Sequence, residues 1–110
     1  MKVSLGMFTV FEALQKDLAQ TIKRVAELGY DGIEMYGEIP CPAKELRSIL
    51  EENGVEISGW HVEWRHLQPN TIEETLAYHK VLGTPYLIIP ALGGPWNIGH
   101  TQAEDCAEAV

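Results

Sequence analysis

Apolar residues along this chain follow two alternating spacings, which predict strands alternating with helices. Between Glu12 and Leu28 the apolar residues recur every three or four positions, as on one face of a helix. Shorter segments before and after this region are almost continuously apolar, which is typical of strands buried on both faces. The predicted strands are residues 3–8, 32–36, 55–62 and 86–89.

Glycines mark the ends of the predicted helices. Gly29, Gly54 and Gly83 each follow an amphipathic segment and precede an apolar strand. Glycine is favoured there because it takes the left-handed backbone conformation without a steric penalty from a Cβ atom. We predict that Pro42 stands at the first position of the second helix and that Asn70 caps the third helix.

The repeat of strand and helix predicts a parallel α/β sheet in a single domain, residues 1–110. Connections this short between parallel strands are right-handed βαβ crossovers. Near the end of the sequence, Thr101 and Glu104 fit a capping box, and apolar residues follow at helical spacing up to Val110. Four βα units of this kind predict the first four units of a TIM barrel, a half-barrel. The alternative is an open four-stranded, flavodoxin-like sheet.

Composition narrows the class of partner. The chain has 16 acidic and 8 basic residues, a net charge of −8, which opposes binding to nucleic-acid phosphates. No apolar run approaches the roughly 18–20 residues of a membrane span, and the amino terminus lacks a signal-peptide pattern. Cys41 and Cys106 fit no metal or redox spacing, so we expect two buried, reduced thiols. A cytoplasmic protein without nucleic-acid or membrane partners is expected.

The first chemical signal is a carboxylate inside an apolar strand. Glu34 lies within the predicted strand 32–36, where a buried charge is costly unless it is paired, solvated or used in chemistry. Ligands of parallel α/β sheets bind at the carboxyl ends of the strands, and Glu34 is close to such an end. It is expected either to line a pocket or to form a structural pair with a lysine or arginine.

The end of the third strand carries the densest polar and aromatic cluster. His61 and Glu63 are two residues apart, so both point to the same face of an extended strand. Together with Glu34 or His66, they could hold a divalent metal ion. Alternatively, His61 contacts a substrate or a backbone group while Glu63 and His66 are solvated in a loop.

Two aromatic residues also follow predicted strand ends. Phe8 stands at the end of the first strand, and Trp96 follows the paired glycines Gly93 and Gly94 after the fourth. Trp96 could stack on a sugar ring beside a closely approaching backbone, or it could simply pack in a loop. The sequence has no glycine-rich nucleotide motif and no serine-hydrolase elbow, which argues against nucleotide phosphate binding and against an α/β hydrolase.

Together these segments resemble the xylose-isomerase-like TIM-barrel superfamily of sugar phosphate isomerases and epimerases. The resemblance is carried by residues 5–10, 25–34, 57–62 and 86–90, and the most distinctive part is Gly-Tyr-Asp-Gly-Ile-Glu at 29–34. It covers essentially the whole chain as the N-terminal half of that fold.

The resemblance implies metal-assisted proton transfer on a ketose or aldose, with two glutamates as acid and base around Mn²⁺, Mg²⁺, Zn²⁺ or Co²⁺. In that family the metal ligands and catalytic glutamates come mainly from strands five to eight. This chain alone is therefore expected to be inactive and to bind no metal. The resemblance implies roles in the substrate pocket for four residues of this chain: Phe8 as an aromatic wall, Glu34 as an interior carboxylate, His61 as a polar contact and Trp96 as a substrate lid.

Two further expectations follow. The rival functional interpretation is a non-catalytic module that binds a small polyol or sugar. In either case, an isolated half-barrel exposes the edges of its first and last strands, so we expect homo-oligomers formed through those edges.

Overall fold

A computed structural model describes residues 1–90, which form parallel strands alternating with helices. The strands are β1 (Ser4–Gly6), β2 (Gly32–Tyr36), β3 (Glu56–His61) and β4 (Leu87–Ile88). The α-helices are α1 (Phe11–Lys16), α2 (Leu18–Glu27), α3 (Ala43–Asn53) and α4 (Ile72–Leu82), and short 3₁₀ helices span Met7–Val10 and Trp64–Leu67. None of the helices within these 90 residues is long and apolar enough to cross a membrane.

The order of the strands decides between the two predicted architectures. The strands pair in parallel in the order β1-β2-β3-β4, so each lies beside its neighbour in sequence. A flavodoxin-like sheet places its second strand outside the first, in the order 2-1-3-4, so that alternative is wrong. Sequential neighbours are the order of a TIM barrel. The described sheet is therefore an open α/β sheet with the strand order of a half-barrel.

The first helical segment differs from its prediction because Asp17 interrupts it. Asp17 has an extended backbone, with φ −155° and ψ 96°, which separates α1 from α2. Its carboxylate Oδ1 accepts a hydrogen bond of 2.9 Å from the backbone amide of Gln20, so Asp17 caps α2. The sequence pattern predicts one continuous helix because the apolar spacing continues across the break. The predicted first strand is also too long, since the chain turns into a 3₁₀ helix at Met7.

The predicted helix ends are confirmed, but both predicted helix starts are wrong. Gly54 and Gly83 follow α3 and α4 with φ of 64° and 71°, the left-handed conformation that favours glycine.

Pro42 is not the first helical residue: its ψ of 141° is not helical, so it precedes α3, which begins at Ala43. Asn70 does not cap α4, which begins after Thr71 without a side-chain cap. The hydroxyl of Thr71 instead donates to the carbonyl oxygen of Arg65 at 2.8 Å, which ties the start of α4 to the preceding loop.

Two burial predictions also differ from the structure. Leu87 and Ile88 of β4 are half-buried, and Tyr86 beside them is exposed. Within residues 1–90 this strand pairs on one side, with β3, so it is not enclosed as its apolar sequence predicts. Cys41 is only half-buried, while Cys106 and the helix predicted from Thr101 lie outside the described residues.

The hydrophobic core lies between one face of the sheet and the helices. Ile33 and Met35 of β2 are fully buried in it, and so is Trp60 of β3 apart from a 2% exposed fraction. The helices supply the other half of this core with Ile22, Val25, Leu46, Leu50 and Leu82. We call the opposite face the open face of the sheet; it carries the half-buried side chains of Glu34, Tyr36 and His61.

A β-bulge in β3 decides which side chains reach the open face. Ile57 lies beside Ile33, whereas Gly59 lies beside Glu34, so Ser58 is an additional residue in β3. Strict alternation would put Ile57 and Trp60 on opposite faces. The bulge lets both residues join the core, and it leaves Gly59 and His61 on the open face.

Gly32 occupies a crowded position where β1, β2 and β3 meet. A Cβ atom at Gly32 would lie 2.6 Å from the Ser4 Oγ atom and 3.0 Å from the backbone oxygen of Glu56. Because the backbone oxygen cannot move aside by a rotamer change, we expect Gly32→Ala to lower the free energy of unfolding by about 1–3 kcal/mol. Urea denaturation followed by circular dichroism measures this loss. Gly6→Ala is the control, since a Cβ atom there meets nothing within 4 Å, and equal stability of both variants would contradict the expectation.

His79 makes stability depend on pH. It is 7% exposed, and its Nδ1 atom lies 3.1 Å from the hydroxyl of Thr84. Burial, together with the charge of nearby His66, lowers the pKa of His79. The unfolded chain therefore binds this proton at a higher pH than the folded chain, so the stabilisation is present above the unfolded pKa of about 6.5 and declines as pH falls below it.

This pH dependence is measurable by urea denaturation. We expect the urea midpoint to be lower at about pH 5.5 than at about pH 7.5, and we expect His79→Gln to reduce the difference between the two. An unchanged difference in the His79→Gln variant would show that other groups produce the pH dependence.

Candidate functional site

Glu34 and His61 form a hydrogen-bonded pair on the open face of the sheet. The Oε1 atom of Glu34 lies 2.9 Å from the Nε2 atom of His61. The two side chains are 43% and 27% exposed, so both remain accessible to a ligand. The partner of Glu34 in the structure is thus a histidine, rather than a lysine or arginine. Both residues lie near the carboxyl ends of neighbouring parallel strands, where ligands of this class of sheet bind.

The pairing fixes how the imidazole of His61 can act. An ionised carboxylate only accepts hydrogen bonds, so Nε2 of a neutral His61 carries the hydrogen and donates it to Glu34. The Nδ1 atom then holds the free electron pair of the ring. In this arrangement Nδ1 can accept a hydrogen bond from a ligand hydroxyl, while Glu34 holds the ring in position.

Gly59 lies beside this pair and makes room for β4. A Cβ atom at Gly59 would lie 3.1 Å from the Cδ1 atom of Ile88, which is a tight contact, and 3.9 Å from the Cγ atom of Glu34, which is an ordinary one. A glycine inside a strand often marks such a close approach.

Aromatic rings lie beside the pair. The ring centroid of Tyr36 is 6.3 Å from that of His61 and 5.1 Å from that of Phe8. Phe8 is 65% exposed, so its ring forms an outer apolar wall. Burial, and then the charge of Glu63, raise the pKa of Tyr36, which keeps its hydroxyl protonated. The sequence places Tyr36 at the carboxyl end of the second strand but predicts no role for it in binding, although its position two residues after Glu34 puts both side chains on one face.

The structure separates Glu63 from the Glu34–His61 pair. β3 ends at His61 and a 3₁₀ helix begins at Trp64, so strand alternation does not continue to Glu63. The carboxylate of Glu63 instead accepts a hydrogen bond of 2.7 Å from Nε of Arg65. This hydrogen bond is the main cause that lowers the pKa of Glu63. Glu63 is therefore an ionised partner of Arg65.

The described residues do not fit the divalent ion that the family resemblance implies. Among residues 1–90, no three side chains of His, Cys, Asp or Glu are grouped so that they could hold a metal ion. Trp96, the predicted substrate lid, lies outside the described residues.

Comparison with known proteins gives a likeness in structure. The sequence matches no protein-family model and no curated protein. The structure resembles a sugar phosphate isomerase/epimerase from Parabacteroides distasonis ATCC 8503, with a TM-score of 0.63 and 19% sequence identity. The match covers 87% of this chain and 41% of that one, so this chain spans less than half of its neighbour's length.

At 19% sequence identity, this likeness shows a similar fold and nothing more. It agrees with the resemblance drawn from the sequence and with the sequential order of β1 to β4. The chain therefore has a parallel α/β fold with the strand order of a half-barrel.

Proposed function

We propose that this chain is the N-terminal half of a sugar or sugar phosphate isomerase or epimerase, and that its open face binds the sugar. The observation that carries the proposal is the 2.9 Å hydrogen bond between Glu34 and His61 at the carboxyl ends of β2 and β3. The similarity to a sugar phosphate isomerase/epimerase supports the class of substrate.

Three residues of the site have roles in binding. His61 accepts a hydrogen bond from a sugar hydroxyl through Nδ1, and Glu34 is the positioning residue that orients it. Phe8 packs against the C–H groups of the sugar, an apolar contact that aromatic rings provide well. The acid and base that move the proton, and the ligands of the expected divalent ion, are proposed to lie outside residues 1–90.

A titration followed by NMR tests the proposal. D-Fructose 6-phosphate and D-fructose are added to the full chain, and backbone amide shifts are followed. We expect saturable changes at Glu34, Tyr36 and His61. Changes that are absent, or that occur only at the helices, would overturn the proposed sugar site. Calorimetry with Mn²⁺ tests the second part, because tight binding at one site per chain would contradict metal ligands placed elsewhere.

A non-catalytic sugar- or polyol-binding module remains the second candidate. The observation that favours it is that a hydrogen-bonding pair and an aromatic ring lie side by side on one face of the sheet, an arrangement that can hold a sugar without chemistry. Reading the coding sequence downstream of Val110 separates the two candidates. Further βα units with glutamate, aspartate and histidine at strand ends support the enzyme, and an immediate stop codon supports the module.

We also expect the purified chain to self-associate. In the described sheet, β1 and β4 are edge strands, and the exposed ring of Phe8 lies beside the open face. Unpaired strand edges and exposed apolar groups favour pairing with a second chain. Light scattering over a range of concentrations measures the oligomer.

Two substitutions of exposed apolar residues locate the contact. Phe8→Asp adds a charge beside the open face and should shift the chain towards the monomer. Leu28→Asp is the matched control, because Leu28 is similarly exposed but follows α2. A wild-type chain that stays monomeric at high concentration would contradict self-association.

A further inference from the structure

A cavity lies on the helix side of β2 and β3, behind the open face. It has a volume of about 650 Å³ and is bounded by the loop after β2, the end of β3 and the first turns of α4. We call it the acidic cleft; its polar lining includes Glu38, Glu63, His66, Glu74 and His79. None of Phe8, Glu34, Tyr36 and His61 lines it, so it is separate from the proposed sugar site. Ligand sites of proteins commonly have volumes of about 300–1,000 Å³.

Part of the wall of the acidic cleft is apolar, and a hydrogen bond fixes two of the segments that form it. Ile39, Pro40 and Val62 form part of the lining, beside the buried ring of Trp60. The hydroxyl of Tyr78 donates to the carbonyl oxygen of Cys41 at 2.9 Å, which joins α4 to the loop after β2. A preformed apolar wall of this kind binds a ligand without a large cost in ordering.

His66 lies in the cleft beside Glu38. Its Nε2 atom is 3.0 Å from the Oε1 atom of Glu38 and makes no well-aligned hydrogen bond within residues 1–90. Because a carboxylate only accepts hydrogen bonds, a neutral His66 turns the hydrogen of this nitrogen towards Glu38. His66 thus marks the polar end of the cleft, and the glutamates are the groups that can accept from a ligand.

The balance of charge decides which polar group fits. Glu38, Glu63 and Glu74 contribute three negative charges, and Arg65, bonded to Glu38 and Glu63, contributes one positive charge. The start of α4 adds roughly half a positive charge, which is too little to offset the remaining two. The cleft therefore attracts cations and repels anions such as sugar phosphates.

We propose that the acidic cleft binds a small organic cation, an ammonium group carried on an apolar body. The ammonium donates to the carboxylates of Glu38 and Glu74, because the single charge of Arg65 does not offset all of the negative charge of the cleft. The apolar body packs against Ile39, Pro40 and Val62. A cation of this class is chemically different from the sugar phosphate proposed for the open face, so the two sites are independent.

Three probes of the same shape and different charge test the proposal. Benzylamine, benzyl alcohol and benzoate are titrated separately into the full chain, and backbone amide shifts are followed by NMR. We expect benzylamine to produce saturable changes at Glu38, His66, Glu74 and His79, with weaker changes from the alcohol and none from benzoate. Equal changes from all three probes, no change from benzylamine, or changes centred on Glu34 and His61 would overturn it.

A matched pair of charge substitutions gives a second test. Glu74→Gln removes a cleft carboxylate, and we expect about a two- to fivefold weaker affinity for benzylamine, the size expected for one exposed ion pair. Glu52→Gln removes the same charge from the exposed surface of α3 and should leave the affinity unchanged. Equal effects of both substitutions would show that benzylamine responds only to the net charge of the chain. Dispersed NMR spectra of both variants confirm that they fold.

Discussion

We expect Trp60→Ala to lower the free energy of unfolding by about 3–5 kcal/mol, the cost of removing a large buried aromatic side chain. Trp60 is 2% exposed, and its ring meets those of Tyr78 and His79 edge-on, with centroids 5.9 and 4.9 Å away. Its Nε1–H group also donates to the carbonyl oxygen of Gly37 at 2.8 Å. One side chain thus joins β3 to α4 and to the end of β2. Since small domains are stable by only about 5–15 kcal/mol, this loss could unfold the chain.

Two further substitutions separate the contributions of Trp60. Trp60→Phe keeps most of the apolar contact but leaves the carbonyl oxygen of Gly37 without its donor, so we expect a smaller loss of about 1–3 kcal/mol. Trp64→Ala is the matched control, because Trp64 lies in a 3₁₀ helix and is only half-buried. Urea denaturation followed by far-ultraviolet circular dichroism measures all three variants. Similar losses for Trp60→Ala and Trp64→Ala would contradict the role given to Trp60.

The second large effect is expected at the proposed sugar site. His61→Phe keeps a flat ring but removes the nitrogen that accepts a hydrogen bond from a sugar hydroxyl. We therefore expect about a tenfold weaker affinity for D-fructose 6-phosphate. A tenfold change corresponds to about 1.4 kcal/mol, near the upper end for a hydrogen bond between two neutral groups.

Variants at position 34 distinguish positioning from charge. Glu34→Gln keeps an oxygen that can accept from Nε2 of His61, so we expect a smaller loss of affinity than in Glu34→Ala, which leaves the imidazole unrestrained. Glu52→Gln serves as the control for the change in net charge, and NMR titration measures each affinity. If Glu34→Ala and Glu34→Gln bind the sugar as tightly as the unmodified chain, Glu34 does not position His61 for binding.

Local sequence signals were sufficient to predict the alternation of strands and helices. The boundaries of β2 match the prediction, as do the ends of α3 and α4 at Gly54 and Gly83. These features depend on residues close in sequence, because a left-handed turn after a helix is a property of the glycine itself. The position of Glu34 on the face opposite Ile33 and Met35 also followed from the period of two in a strand.

Other local signals competed with one another and were misread. Asn70 has the residue type of a helix cap, but the chain begins α4 one residue later, where Thr71 is already bonded to the preceding loop. The apolar spacing between Glu12 and Leu28 hid the interruption at Asp17, whose carboxylate caps the second of two helices. In both cases the choice among neighbouring polar residues depends on hydrogen-bond partners that spacing does not reveal.

The sequence by itself determined the elements, their parallel α/β class and the placement of Glu34 and His61 near strand ends. Only the tertiary structure decided that these two residues meet, because the bulge at Ser58 sets which face of β3 lies beside Glu34. The tertiary structure also keeps Glu63 away from the pair, because β3 ends before Glu63 and the carboxylate of Glu63 accepts a hydrogen bond from Arg65. Register between strands arises from contacts between residues far apart in sequence, and no local pattern carries that information.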